Sequence, residues 1–327
     1  MTQALKKVQL QKLLALGALI ILCVFFSIFG RGFASWPTVL NILASSYFTG
    51  LLAIGVTFVI ITGGIDLSIG TVMMTSALLG GILYQQHNVP LWLCLVIVVL
   101  IGIAFGLLNG LLVTKLKLPP FISTLGTMMI AMGLGSIITS TQSQTYPPSM
   151  DSWFRRAFLR IGDFPTGLLW LLGFLIVAMI VLNKTKLGRY TYAIGSNEEA
   201  VRLSGVNASR WKCAVYVISG FFAGLGAILY SASFPTIVPE QGQGIELQAI
   251  AAVVIGGTSL SGGVGSLSGT IIGVFIMSVL RFGLQSMPQI SAPFQVFFTG
   301  VVVIGAVWLD IQRTKRSNQV KKEKKLV

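Results

Sequence analysis

The chain has 327 residues, of which 54% are hydrophobic and only 10% charged, with 23 Lys and Arg against 9 Asp and Glu. An average soluble domain carries roughly 25% charged residues; so few charges cannot cover a water-facing surface of this size, which excludes a soluble enzyme or binding domain. The net charge of +14 points to nucleic acid only if the cations form a patch, and they do not.

Apolar runs of about 18 residues or more mark membrane helices, because ~20 residues at 1.5 Å each cross the hydrocarbon layer. Ten spans are predicted in chain order, at residues 13–30, 42–62, 67–84, 91–114, 119–139, 166–183, 213–232, 245–258, 264–285 and 294–310. The fold class is therefore all-α, a polytopic membrane protein with one transmembrane domain over residues 1–327. Lysines precede the first span and Gly32-Phe33-Ala34 loosely resembles a cleavage site, but the length of the span fits a retained anchor better than a secretory signal.

With both termini in the cytoplasm, the outer side keeps only Arg31, Arg155, Arg156, Arg160 and Arg281. Lys6, Lys7, Lys12, Lys115, Lys117, the cations of residues 184–212 and those of the basic tail 311–327 all fall inside. Such a bias sets orientation and explains the basic balance without a nucleic-acid partner. Cys23, Cys94 and Cys213 lie in or beside apolar spans and form no disulfide or metal pattern.

Connections are short except two. The outer one, residues 141–163, carries Trp153-Phe154-Arg155-Arg156, which suits a helix lying at the membrane interface. The inner one, residues 184–212, is the most polar stretch before the tail. Within the spans, Gly102, Gly106 and Gly110 recur at every fourth position, as do Gly265, Gly269 and Gly273. Small residues so spaced make a stripe where another helix approaches closely, and their separation by five spans suits a five-plus-five inverted repeat. A second echo, Gly63-Gly64-Ile65-Asp66-Leu67-Ser68 with Gly256-Gly257-Thr258-Ser259-Leu260-Ser261, lies six spans apart and does not fit that repeat. Paired glycines followed by hydroxyls mark unwound helix, tolerated only where it faces protein or a wet cavity.

No constellation for covalent chemistry appears: the single His87 sits in a polar turn, metal-ligand clusters are missing, and no phosphate-binding loop is present. No cofactor is therefore expected to be bound by this chain. Asp66 and Arg281 lie near span ends and no ionisable group is predicted at a span centre, which argues against a proton- or sodium-driven carrier. Candidate pathway groups are Asn41, Thr57, Thr62, Asp66, Ser68, Asn109, Ser123, Thr127 and Gln248, mostly neutral hydroxyls and amides that suit a polyol; the same groups equally serve helix-to-helix bonds worth ~0.6 kcal/mol each.

The inner loop carries the sharpest pattern. Asn197 can cap a helix, Glu198 and Glu199 complement its positive end, Arg202 its negative end, and Gly205 can take a left-handed stop. A helix of two turns is unstable alone in water, so it docks either on its own chain or on a partner.

At these residues the chain resembles the permeases of ribose-type simple-sugar ABC importers. Glu199-Ala200-Val201-Arg202-Leu203-Ser204-Gly205 is similar to the Glu-Ala-Ala, three residues, Gly pattern of their coupling helix, with Val201 replacing the second alanine. Tyr192-Ala193-Ile194-Gly195-Ser196-Asn197-Glu198, the Gly63–Ser68 segment and residues 249–263 resemble the same family, and the likeness runs from about Asn41 to Asp310. It implies a ten-span permease in the bacterial plasma membrane, paired with a second copy or paralogue, above two ATP-binding cassette subunits and below an extracellular or periplasmic sugar-binding protein. In that machine Asn197, Glu198, Glu199, Ala200, Arg202 and Gly205 contact the ATPase. Branched-chain amino acid and nucleoside permeases share parts of the pattern; an ion-coupled sugar carrier and a passive channel are the rivals from other classes.

Overall fold

The computed structural model defines residues 2–312 apart from 240, 292, 295, 306 and 309, with side chains from residue 12 onward. The predicted basic tail, beyond residue 312, lies outside the described residues. The helices are α1 (Thr2–Phe29), α2 (Trp36–Ile61), α3 (Ile69–Gln85), α4 (Leu91–Thr114), α5 (Pro120–Ile138), α6 (Trp153–Phe158), α7 (Thr166–Lys184), α8 (Lys186–Ser196), α9 (Glu198–Leu203), α10 (Ala208–Ser233), α11 (Ile245–Ile255), α12 (Leu267–Gln285) and α13 (Val296–Gln312). Two short strands, β1 (Gln144–Thr145) and β2 (Thr236–Ile237), pair antiparallel, with Gln144 opposite Ile237.

Seven helices, α1, α2, α4, α5, α7, α10 and α12, are long and apolar enough to cross a membrane. The three other predicted spans are occupied by the shorter apolar helices α3, α11 and α13. α11 has only 11 residues, because Gly256 and Gly257 stop it, the latter at φ +93°. The stretch predicted to start a span at residue 264 becomes helical only at Leu267, where Ser266 caps α12 by accepting from the Gly269 N–H. Gly265 therefore sits in the turn before α12 and is not part of its glycine stripe.

α2 is the spine. Ser35 caps it and Pro37 pre-sets its first turn; from Ser45 to Ile61 every residue is buried. α10 packs along α2, α3 and α4, while α12 packs on α11, α2 and α1. α1, α4, α5 and α7 turn Leu, Ile, Val and Trp side chains outward, the surface a bilayer requires.

Glycine decides how close α4 and α10 come. A Cβ on Gly106 would lie 3.0 Å from the Gly220 Cα, and one on Gly220 would lie 2.8 Å from the Gly106 Cα. Gly102 meets Gly224 in the same way and Gly110 faces Cys213. Apolar burial gives helices little drive to associate inside lipid, so this close backbone fit carries the packing. On the other side of α2, Gly269 lies against the Gly256 carbonyl and Gly273 against that of Ala252.

Candidate functional site

The polar loop 184–212 folds into α8, α9 and the first turn of α10. In α9 the Asn197 side chain accepts from the Ala200 N–H at 3.0 Å. The far end closes with the Gly205 N–H on the Arg202 carbonyl at 3.0 Å and the Val206 N–H on that of Val201 at 3.3 Å, Gly205 standing at φ +80°. That is the six-to-one and five-to-two bonding of a glycine-terminated helix. Glu198 accepts from Arg202 and, at 2.9 Å, from Lys212 of α10. Burial alone raises the Glu198 carboxyl, but the bond and charge of Lys212, followed by those of Arg202, outweigh it and hold it below the usual glutamate range.

One face of α9 is docked within the chain. Val201 packs with Ile194, Ala208, Val206, Tyr190 and Trp211. The opposite face is free: Glu199, Ala200, Arg202, Ser204 and Gly205 are exposed, and Leu203 is 83% exposed. Of the two docking alternatives left open by the sequence, docking on its own chain is what one face of α9 does.

α8, which hydropathy did not mark as an element, links α9 to the bundle. Tyr192 donates to the Gly265 carbonyl at 2.9 Å. Gly195 lies flush on the end of α2, where any Cβ would strike the Ile61 carbonyl. The Gly263 N–H donates to the same Ile61 carbonyl at 2.8 Å, and a Cβ on Gly262 would lie 2.9 Å from the Gly63 N and 3.0 Å from the Gly195 O. The two echoed loops thus abut each other, with α8 pressed on both. Asp310 of α13 closes the group by accepting from the Leu260 N–H at 3.1 Å and the Ser259 hydroxyl at 3.2 Å.

Beyond this junction lies a buried polar cluster. Asp66 is 1% exposed. Its Oδ1 accepts from the Ser68 N–H (3.0 Å), the Ser68 hydroxyl (2.7 Å) and the Asn109 amide (3.4 Å), and its Oδ2 from the Ser219 hydroxyl at 2.8 Å. Asn109 also donates to Ser68 Oγ at 2.8 Å. One carboxyl therefore ties the start of α3 to α4 and α10, in a seam that leaves no space for a water-sized molecule.

A family model described as branched-chain amino acid transport system / permease component matches residues 38–307. The chain belongs to that permease family. It is 38% identical to the ribose import permease protein RbsC of Bacillus subtilis strain 168, over 93% of this chain and 94% of the relative. Identity is 35% to the Escherichia coli K12 protein of the same name, over 90% and 91%, and 32% to the Escherichia coli K12 xylose transport system permease protein XylH, over 96% and 95%. With its belt of apolar helices, the chain is a multi-pass membrane protein.

Of the groups proposed for a pathway, the permease brings together only Asp66, Ser68 and Asn109. Thr57 bonds to the Ala53 carbonyl and to Thr270 of α12 at 3.0 Å. Thr62 and Ser123 bond to the Val59 and Pro119 carbonyls of their own segments. Thr127 is buried with its hydroxyl unpartnered, and Gln248 is half-buried on α11. Asn41 stands apart, at a cavity of about 410 Å³ where the ends of α2, α6, α10 and α12 meet, at the opposite end of α10 from α9.

Two ionisable groups are nonetheless buried, both beside helix starts and neither at a span centre. Asp66 lies just before α3, and Glu246, 6% exposed with Oε2 unpartnered, is packed against Gly70 of α3. Hydropathy does not reveal the burial of Asp66 because α3 starts from a buried turn. The case against ion coupling accordingly rests on α9 and on the family, not on missing charges. Gly220 and Gly224, the partners of the α4 stripe, were not singled out, although their spacing of four was the same signal.

Proposed function

We propose that this chain is the membrane-spanning subunit of an ATP-driven importer in the bacterial inner membrane. It translocates a simple sugar, a ribose-like pentose, a hexose or a related sugar, received from an extracellular or periplasmic binding protein. Two copies, or one copy and a paralogue, stand over two ATP-binding cassette subunits, which hold ATP and magnesium, so the permease itself catalyses no reaction. The names of the ribose and xylose relatives support the substrate class; the family description makes a branched-chain amino acid the second reading.

The observation that carries the coupling role is the two-faced α9. Glu199, Ala200, Arg202, Leu203, Ser204 and Gly205 leave one face of a capped and pinned helix uncovered, and a helix of two turns, marginal alone, gains from a partner seated on that face. Closure of the ATPase pair on α9 displaces α8, and the Gly195 contact passes that displacement to α2 and to the turns on either side of α11. Rocking of the bundle then exposes the pathway to each side in turn.

We read the ten spans, with both ends inside, as two halves of five. The fourth span packs on the seventh (α4 on α10) and the ninth on the second (α12 on α2), two contacts that exchange when five spans are added or subtracted. The contact of the first span on the ninth (α1 on α12) has no comparable counterpart among the described residues. Reconstitution tests the whole reading. Vesicles holding the permease, its ATPase and its binding protein should accumulate ribose or a related sugar only with ATP, and the permease alone should concentrate no solute. Accumulation by the lone chain under a pH or sodium gradient overturns it.

A further inference from the structure

Three of the five cations predicted on the outer side, Arg155, Arg160 and Arg281, line the same 410 Å³ cavity. Arg155 uses Nε on the Ala232 carbonyl at 3.0 Å and Nη1 on that of Pro148 at 2.7 Å. Arg160 and Arg281 form no ion pair with any described residue; the described ion pairs are both those of Glu198. No carboxylate is among the residues lining the cavity. Like charges gathered in a partly desolvated space repel one another unless an anion joins them, and guanidinium offers donors but no acceptor. The cavity is therefore built for a ligand rich in negative acceptor atoms.

Its shape favours a ring over a simple ion. The volume falls within the ~300–1,000 Å³ of small-molecule sites. Tyr47, Phe234 and Phe282 supply aromatic walls, and Asn41 and Ser45 add an amide and a hydroxyl. We propose that this cavity binds a small polyhydroxylated ring carrying a carboxylate, a sugar acid. The arginines take the carboxylate, Asn41 and Ser45 the ring hydroxyls, and the aromatic rings the apolar ring face. The proposal rests on the reading of the chain as a sugar permease and adds sugars that carry an acid group to the class it handles.

The test uses the full-length permease in nanodiscs of neutral phosphatidylcholine, titrated calorimetrically with D-glucuronate and with D-ribose. Glucuronate binds, ribose binds roughly tenfold more weakly or not at all, and Arg160→Gln and Arg281→Gln each weaken glucuronate by about tenfold. Arg281→Lys, which keeps the charge but loses the fork, weakens glucuronate less than Arg281→Gln does, which ties the loss to charge and not to misfolding. Equal binding of both sugars, or glucuronate binding indifferent to both Gln variants, overturns the proposal. So does displacement of glucuronate when phosphatidylglycerol enters the disc, because the arginines then hold a lipid phosphate. ATP-driven ribose uptake by the complete importer separates the two levels. If it persists while glucuronate does not bind, the sugar-acid site alone fails; if no sugar accumulates, neutral or acidic, the permease reading fails as well.

Discussion

Lys212 of α10 donates a 2.9 Å bond to Glu198 of α9, and seven residues further along α10 Ser219 holds Asp66. Seven residues are two turns, ~10.5 Å on one helix face. α9 and the buried cluster are thus carried on a single helix.

Removing that tie should loosen α9. Lys212→Ala is expected to speed hydrogen exchange over residues 198–203 and to lower uptake per ATP hydrolysed. The pair is partly exposed, so the loss is of the order of 1 kcal/mol or less. Because the Glu198 carboxyl is held below its ordinary value, its contribution is fully present above the unfolded glutamate pKa and fades as pH falls through the lowered one. Protection factors over residues 198–203, which remove the intrinsic pH dependence of exchange, should stay flat in the wild type from neutral pH down to the ordinary glutamate range and fall only below it, a fall that Lys212→Ala blunts.

Gly205 stands at φ +80° in open space, so only backbone conformation restricts it. Gly205→Val should cost about 1–2 kcal/mol at the end of α9 and uncouple ATP hydrolysis from uptake, with insertion unchanged. Gly205→Asn, which tolerates that conformation, should retain coupling. Equal uptake by wild type and the Val variant would sink the coupling assignment.

Asp66 meets four neutral donors, so geometry predicts which substitutions it tolerates. In Asp66→Asn the amide can donate to the Ser219 hydroxyl, which then turns to accept, and the thermal midpoint in detergent should change little. Asp66→Leu strands the Ser68 N–H and the Ser219 hydroxyl at about 1–3 kcal/mol for each orphaned group, and the midpoint should fall by many degrees. A variant pair with indistinguishable midpoints removes Asp66 from this role.

The α4–α10 crossing has no room for a side chain. Gly220→Val should cost about 1–3 kcal/mol or more through overpacking, seen as loss of folded protein from the membrane. Gly126, with nothing within 4 Å of an added Cβ, is the control, and Gly126→Ala should express normally.

The sequence announced the long helices because lipid demands long apolar runs, and it announced α9 because its caps are chemical signals confined to residues 197–205. It could not announce α8, whose role comes from Gly195 meeting Ile61 far away in the chain, nor the β1–β2 pairing of Gln144 with Ile237. Asp66 was visible as an unusual residue, but its partners Asn109 and Ser219 lie on other helices, and hydropathy carries no register between helices. Glu246 escaped notice because what buries it is Gly70 of α3, far away in the chain, while the residues leading into α11, Gln241 and Gln243, are exposed.

Where Gly195 and Gly263 both seat on the Ile61 carbonyl, main chain bears on main chain with no flexible side chain as a cushion. A push arriving there cannot be absorbed by rotamer hops, so the stroke is passed on almost whole, as between meshed teeth. Any residue larger than glycine at position 195 would hold those teeth apart.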